Sequence, residues 1–89
     1  MTVRELIAIL SNMDPDRTII LQEDAEGNGY SPLAGCDDNA LYFPDSTWSG
    51  EVYPEYITEE MRKAGFTEEG DIHEPEEDTV RAVILYPIN

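Results

Sequence analysis

The residues of this chain that could carry chemistry are one histidine, one cysteine and many carboxylates. His73 could act as a base or a metal ligand, but its neighbours are mostly Asp and Glu, and we interpret it as a solvated residue of an acidic loop. Cys36 precedes two aspartates, which disfavour the thiolate that a nucleophile needs. Adjacent carboxylates such as Glu59 and Glu60 could perform acid–base work, although a chain with 20 acids contains such pairs inevitably. The sequence therefore predicts no enzyme, no catalytic residue and no cofactor.

Residues 24–29 (D-A-E-G-N-G) approximate the start of a calcium-binding loop, in which oxygen ligands alternate and a glycine permits a sharp bend. The pattern then fails, because Pro32 occupies the ninth position and Gly35 the twelfth, where a bidentate glutamate is needed. We interpret the segment as a tight turn and predict no specific metal site. Binding of a divalent ion between Asp24 and Asn28 stays open as the alternative.

The net charge is the strongest indication of a partner. The 89 residues include 20 Asp and Glu against 5 Lys and Arg, a formal charge of −15, whereas solubility of a small domain needs a magnitude of about 2 to 8. Residues 1–36 hold six acids and two bases, and residues 37–89 hold fourteen acids and three bases. This excess favours a basic protein partner. Because the few Lys and Arg are scattered, direct binding to nucleic acid or an anionic membrane is not expected.

The length predicts a single domain, residues 1–89, with one modest core. A lone cysteine forms no internal disulfide, which is typical of a reducing compartment. The sequence shows neither a basic leader with an apolar run nor an 18-residue apolar span. We therefore expect a cytoplasmic protein.

The N-terminal residues predict a helix. Thr2 and Glu5 have the spacing of a capping box, in which each side chain bonds the other residue's amide. An apolar stripe with helical spacing follows, formed by Val3, Leu6, Ile7 and Leu10. Because Pro15 pushes the residue before it out of the helical region, the helix should end by about Met13.

Apolar and β-branched runs predict the strands. Residues 18–22 form the first, and the turn at 24–29 should join it in a hairpin to a returning strand at 30–34, which its proline restricts to an edge or a bulge. Residues 40–43 are a further short strand. Residues 79–86 are apolar on both faces after their arginine, which predicts a central strand with the first helix across one side.

The acidic half has weaker patterns. Residues 44–57, with two prolines and three aromatic residues, predict an ordered loop. Thr58 can cap a short helix that runs to about Ala64 and stops at Gly65. Residues 67–78 hold seven carboxylates and predict a solvated, mobile loop. The expected fold is α+β: an N-terminal helix packed on a three- to four-stranded, mostly antiparallel sheet, with a short second helix and an acidic loop.

The runs Thr2–Ile7, Asp14–Asp16 and Asp24–Leu33 resemble small acidic proteins of unassigned function in tailed-phage and prophage genomes. The resemblance covers roughly the first 35 residues, with looser similarity at Gly50–Tyr53 and Val83–Pro87. It implies a phage context and carries over no catalytic motif. Phage proteins that this chain is similar to in size and charge include inhibitors of uracil-DNA glycosylase, of restriction enzymes and of CRISPR effectors.

Duplex DNA carries one negative charge per about 1.7 Å, so a rigid array of carboxylates can occupy a cleft that reads phosphates. We therefore favour a phage-type inhibitor that mimics nucleic acid and blocks such a cleft in a host defence or repair protein. The predicted partner-binding residues are the aromatic anchors Trp48, Tyr53 and Tyr56 and the phosphate surrogates Glu51, Glu55, Glu59, Glu60, Glu68 and Glu69. The alternative is a structural or regulatory phage accessory protein, with a homodimer formed through an exposed strand edge, charge that serves solubility and aromatic residues that close the core.

Overall fold

Three short helices and four strands build the fold in the computed structural model, which describes residues 1–22 and 29–88. The elements in chain order are α1 (Val3–Leu10), β1 (Thr18–Leu21), β2 (Leu33–Pro44), β3 (Gly50–Tyr53), α2 (Glu59–Lys63), α3 (Glu68–Asp71) and β4 (Val80–Pro87). The α+β class is therefore confirmed.

The strands form one sheet in the order β1-β4-β2-β3. β4 pairs parallel with β1 and antiparallel with β2, and β2 pairs antiparallel with β3. The central place predicted for the C-terminal strand is confirmed. The predicted hairpin between the first two strands is wrong, because β4 lies between β1 and β2. A strand that is apolar on both faces is best buried with neighbours on both edges. The predicted turn and calcium-type segment at 24–28 lies outside the described residues.

β2 is one long interior strand where two short ones were predicted. It runs from Leu33 to Pro44, so it contains the end of the segment predicted at 30–34 and all of the one predicted at 40–43, with irregular register at two places. Between Asp37 and Ala40 it advances three residues while β4 advances two, which is a β-bulge. Of the two positions predicted from Pro32, the edge is wrong, since β2 lies inside the sheet, whereas the bulge agrees with the irregular register between Leu33 and Gly35. Pro32 itself precedes the strand, and its carbonyl accepts a hydrogen bond from Ile88 N.

Two segments predicted as loops contain regular structure. β3 lies within the predicted loop 44–57 and starts at Gly50, where an added Cβ would lie only 2.6 Å from the Tyr42 ring. α3 lies within the predicted acidic loop 67–78 because Thr67 caps it, accepting a hydrogen bond from Gly70 N. The amino-acid composition of these segments does not indicate β3 or α3.

The two predicted helices are confirmed, with one correction. The capping box of α1 is present, and α2 is capped by Thr58 and followed by Gly65 at a φ of 102°. The predicted stripe of α1 is partly wrong: Val3 is 76% exposed and Ile7 is also exposed. Leu6 and Leu10 of the stripe are half-buried as predicted, and Ile9 and Met13 are half-buried with them. The apolar residues of α1 lie on more than one face of the helix, so their spacing alone does not show which face is buried.

The core lies at the centre of the sheet and consists of Ala40, Leu41, Ala82 and Val83. Because consecutive strand residues point to opposite faces, Ala82 and Val83 show that both faces are covered there. The core is small, so each of its side chains is a large share of the stability.

We expect Val83→Ala to lower the free energy of unfolding by about 2 kcal/mol, because it removes buried methyl groups and leaves a cavity. Val3→Ala, which removes the same atoms from an exposed site, should change it by less than about 0.5 kcal/mol. Urea denaturation measures both. Equal losses would contradict a core centred on the two inner strands.

Candidate partner-binding surface

The charge of the chain is concentrated in one continuous part, which we call the acidic segment, residues 37–78. It holds fourteen Asp and Glu with two basic residues, whereas the rest of the described chain holds three acids and three arginines. The acidic segment contains most of β2 and all of β3, α2 and α3. In strand order β3 and β1 are the two edges of the sheet. The excess negative charge therefore lies in the part of the chain that contains the edge strand β3, whereas the part that contains the edge strand β1 has balanced charge over its described residues.

The β-bulge of β2 positions Asn39 to hold the chain after β3. Its Oδ1 accepts hydrogen bonds from the backbone N–H groups of Glu55 and Tyr56, both at 3.0 Å, and its Nδ2 donates to the Tyr56 carbonyl at 2.9 Å. Asp37 in turn accepts a hydrogen bond from Asn39 N at 2.9 Å. The predicted loop is therefore ordered at Glu55 and Tyr56.

Two arginines neutralise Glu55. Arg17 Nη2 lies 2.7 Å from Glu55 Oε1, and Arg81 Nε lies 3.2 Å from Oε2. The Arg17 side chain is only 6% exposed and also donates to the carbonyls of Ala40 and Ala82. Arg81 extends the network to Asp14 at 3.0 Å. The structure therefore assigns Glu55 to holding the fold, and we leave it out of the carboxylates free to meet a partner.

The same contacts perturb two acids. The hydrogen bond from Arg17, followed by the charges of Arg17 and Arg81, lowers the pKa of Glu55 below its ordinary 4.5. The backbone hydrogen bond from Asp16 and the nearby Arg81 lower the pKa of Asp14 below 3.8. Both carboxylates therefore stay ionised at neutral pH and stabilise the folded chain in that form.

An acidic cleft of about 420 Å³ lies against one face of β2 and β3. Tyr53 forms its aromatic centre: its ring stacks on His73 at 3.6 Å and meets Phe43 edge to face at 5.4 Å. The Tyr53 hydroxyl donates to Glu51 at 2.6 Å, and this bond raises the pKa of the phenol. The other acidic residues that line the cleft are Asp45, Glu74 and Glu76. Four carboxylates thus surround a packed aromatic group.

His73 takes a different place from the one predicted. It is exposed, as expected of a solvated residue, but its ring packs on Tyr53 and joins the segment after α3 to β3. The expectation of a mobile loop over 67–78 is therefore corrected at this point. The capped helix α3 and the stacked ring of His73 thus order the backbone that leads to Glu74.

Helices α2 and α3 carry four further predicted surrogates. Glu59 and Glu60 lie in the first turn of α2, where carboxylates favour the positive end of the helix dipole. Glu68 and Glu69 begin α3, and Glu68 receives a hydrogen bond from Arg62 at 2.9 Å. All four are exposed. Glu59, Glu60 and Glu69 form no ion pair within the described residues.

The three predicted aromatic anchors lie in two places. Tyr53 is in the acidic cleft and also lines a second cleft, which it shares with exposed Tyr56 and with Asp37 and Asp38. Trp48 is 82% exposed and lines an apolar groove beside β1. The structure therefore brings Glu51 and Tyr53 together, and Tyr56 near acidic residues, but it places Trp48 apart from both.

Sequence reasoning missed several residues of this surface. Asp45, Glu74 and Glu76 belong to the cleft because β3 and the segment after α3 meet there, and that proximity has no local signal. Asn39 and Arg17 act through long-range hydrogen bonds. A signal that could have drawn attention to Arg17 is its rarity, since it is one of five basic residues in a very acidic chain.

Comparison of the chain with protein-family models, curated proteins and solved structures finds no match. Over residues 1–22 and 29–88, no helix has the length and apolar character to cross a membrane. Within the same ranges, no three His, Cys, Asp or Glu side chains are grouped as a metal ion requires.

We expect Glu55→Gln to lower the free energy of unfolding by about 2 kcal/mol at neutral pH, because it leaves buried Arg17 with a neutral partner. Since the pKa of Glu55 is lowered on folding, its contribution is complete above about pH 4.5 and is lost as pH falls through the lowered value. The difference between wild type and variant should therefore shrink from about pH 6 to about pH 3 in urea titrations. A difference independent of pH would contradict the ion pair. Glu69→Gln, outside the network, should cost less than about 0.5 kcal/mol at neutral pH.

We expect Asn39→Ala to release the chain after β3, because three backbone groups lose their partners. Hydrogen exchange at the amides of Glu55 and Tyr56 should accelerate by about tenfold or more. Asn12→Ala, which removes one hydrogen bond at the end of α1, is the matched control and should leave both amides unchanged. Unchanged exchange in Asn39→Ala would show that another contact orders this segment.

Proposed function

We propose that this protein is a phage-type inhibitor that mimics nucleic acid and blocks the DNA- or RNA-binding cleft of a basic host protein of defence or repair. It acts in the host cytoplasm by binding alone, without catalysis. The observation that carries this proposal is the acidic segment: a net excess of twelve carboxylates on backbone that capped helices, a β-bulge and an aromatic stack hold in place. A fixed array is needed because a cleft that reads phosphates selects for spacing as well as charge.

The surface proposed to meet the partner has two parts. Glu51, Glu74 and Glu76 with Asp45 form the acidic cleft around Tyr53, and the exposed Glu59, Glu60, Glu68 and Glu69 lie on α2 and α3, with Glu68 beside Arg62. Tyr53 and Tyr56 supply apolar area next to the carboxylates, which tight interfaces need. Neither part requires a reactive group, in keeping with a protein that acts by occupying a site.

A second candidate function is a structural or regulatory accessory protein that acts as a homodimer. The observation that favours it is the uncharged, exposed edge of β1, at the opposite side of the sheet from β3. The two candidates use different surfaces, and their responses to salt differ in sign.

We expect the immobilised protein to retain a nucleic-acid-binding protein from bacterial extract at about 50 mM NaCl and to release it toward about 500 mM, because salt screens exposed charges. Double-stranded DNA should release the same protein by competition. Glu60→Lys should weaken retention by about tenfold, because it places a positive charge against a basic cleft. Mass spectrometry and titration of the purified partner measure identity and affinity.

Asp16→Lys is the matched control, since it makes the same change of charge outside the acidic segment and should leave retention nearly intact. Circular dichroism verifies that both variants fold. A partner that binds DNA and this protein together would contradict mimicry, as would equal effects of the two substitutions.

A further inference from the structure

Within residues 1–22 and 29–88, strand β1 is an edge strand that lacks the usual protection against pairing. Its four residues, Thr18–Leu21, contain no charge and no proline, and the side chains of Ile19 and Leu21 are 50% and 71% exposed. Natural edge strands are normally blocked by lysine, by proline or by a covering element. An open groove lined by Ile19, Leu21 and Trp48 adjoins this edge. The edge is therefore accessible to another strand.

The backbone of β1 has hydrogen-bonding groups directed away from the sheet. Gln22 N donates to the Leu85 carbonyl of β4, which shows which residues of β1 direct their backbone groups toward β4. Alternate residues direct their N–H and C=O groups to opposite sides, so Thr18 and Ile20 face β4 while Ile19 and Leu21 face outward. Among the described residues, no further strand pairs with β1.

Charge determines which partner can use this edge. A basic partner is attracted to the acidic segment, whereas the described residues outside that segment hold three acids and three arginines. Residues 23–28, which follow β1 and lie outside the described residues, add three acids. The part of the chain outside the acidic segment therefore has a net charge of −3, against −12 for the acidic segment, so a second copy meets the least repulsion here, and an uncharged strand is complementary to itself.

We propose that two copies of this chain associate through β1, antiparallel and about a two-fold axis at Ile20, into a continuous eight-stranded sheet. Because Ile19 and Leu21 both face outward, Ile19 of one copy then stands opposite Leu21 of the other, and each such pair exchanges two N–H···O=C hydrogen bonds. The two pairs are equivalent, as an isologous interface requires, and each sets two exposed apolar side chains against one another. This dimer does not depend on a basic partner.

Sedimentation equilibrium of the wild-type chain tests the dimer. We expect a monomer–dimer equilibrium whose association strengthens from about 100 mM to about 500 mM NaCl, because salt screens the repulsion between two anionic copies. The proposed partner binding has the opposite salt response, so failure of one does not imply failure of the other. A monomer at both salt concentrations up to about 1 mM protein would overturn the dimer.

Hydrogen exchange and matched variants locate the interface. The amides of Ile19 and Leu21 should exchange more slowly at high protein concentration, while those of Thr18 and Ile20, already directed at β4, should not change. Leu21→Lys should raise the dimer dissociation constant by about tenfold or more, and Ile88→Lys, the same change at another exposed apolar site, should leave it within about twofold. A dimer that forms without protection at Ile19 and Leu21, or that tolerates Leu21→Lys, would overturn the assignment to β1.

Discussion

The side chain of Arg17 connects the two differently charged parts of the molecule, and the rest of the structure depends on that connection. Almost fully buried, it donates to the carbonyls of Ala40 and Ala82 and forms an ion pair with Glu55. It therefore joins the start of β1 to β2, to β4 and to the chain after β3. A buried arginine without a carboxylate would cost several kcal/mol, so Glu55 is required where it lies.

The position of Glu55 in turn decides which carboxylates remain for a partner. The chain has a small core, and its acidic residues repel one another. Its acidic segment is therefore ordered by local hydrogen bonds and ring contacts rather than by burial in a large core. Asn39 fixes the backbone after β3, threonine caps order α2 and α3, and His73 packs on Tyr53. None of these contacts neutralises a surface carboxylate. These contacts therefore order the backbone of the acidic segment while its surface carboxylates keep their charge.

The sequence was sufficient where the deciding interactions are local. The capping box at Thr2 and Glu5, the cap at Thr58 and the stop at Gly65 follow from neighbours in the chain, and each is present. The central place of β4 followed from its apolar character on both faces. The pairing of the strands could not be predicted in this way. Whether β1 lies beside β2 or beside β4 depends on which arrangement buries β4, and that requires a comparison of whole folds.

The candidate site was predictable in composition but not in arrangement. Counting acids identified the half of the chain that carries the charge, yet Glu55 is paired with arginines while Asp45, Glu74 and Glu76 line the cleft. The bulge in β2 moves Asn39 into reach of the chain after β3, and a bulge leaves no clear trace in a mixed polar and apolar run. The role of each carboxylate therefore emerged only with the pairing of the strands.

The alternation of β3 explains how one small sheet can present an anionic surface and an uncharged one close together. Glu51 and Tyr53 face the acidic cleft, whereas Gly50 and Val52 face the groove beside β1. The residues opposite β1 in that groove, Thr47–Gly50, carry no charge. Uncharged residues of β3 and of the turn before it therefore line the groove beside β1, while the carboxylate of β3 lies at the acidic cleft on the other face of the strand.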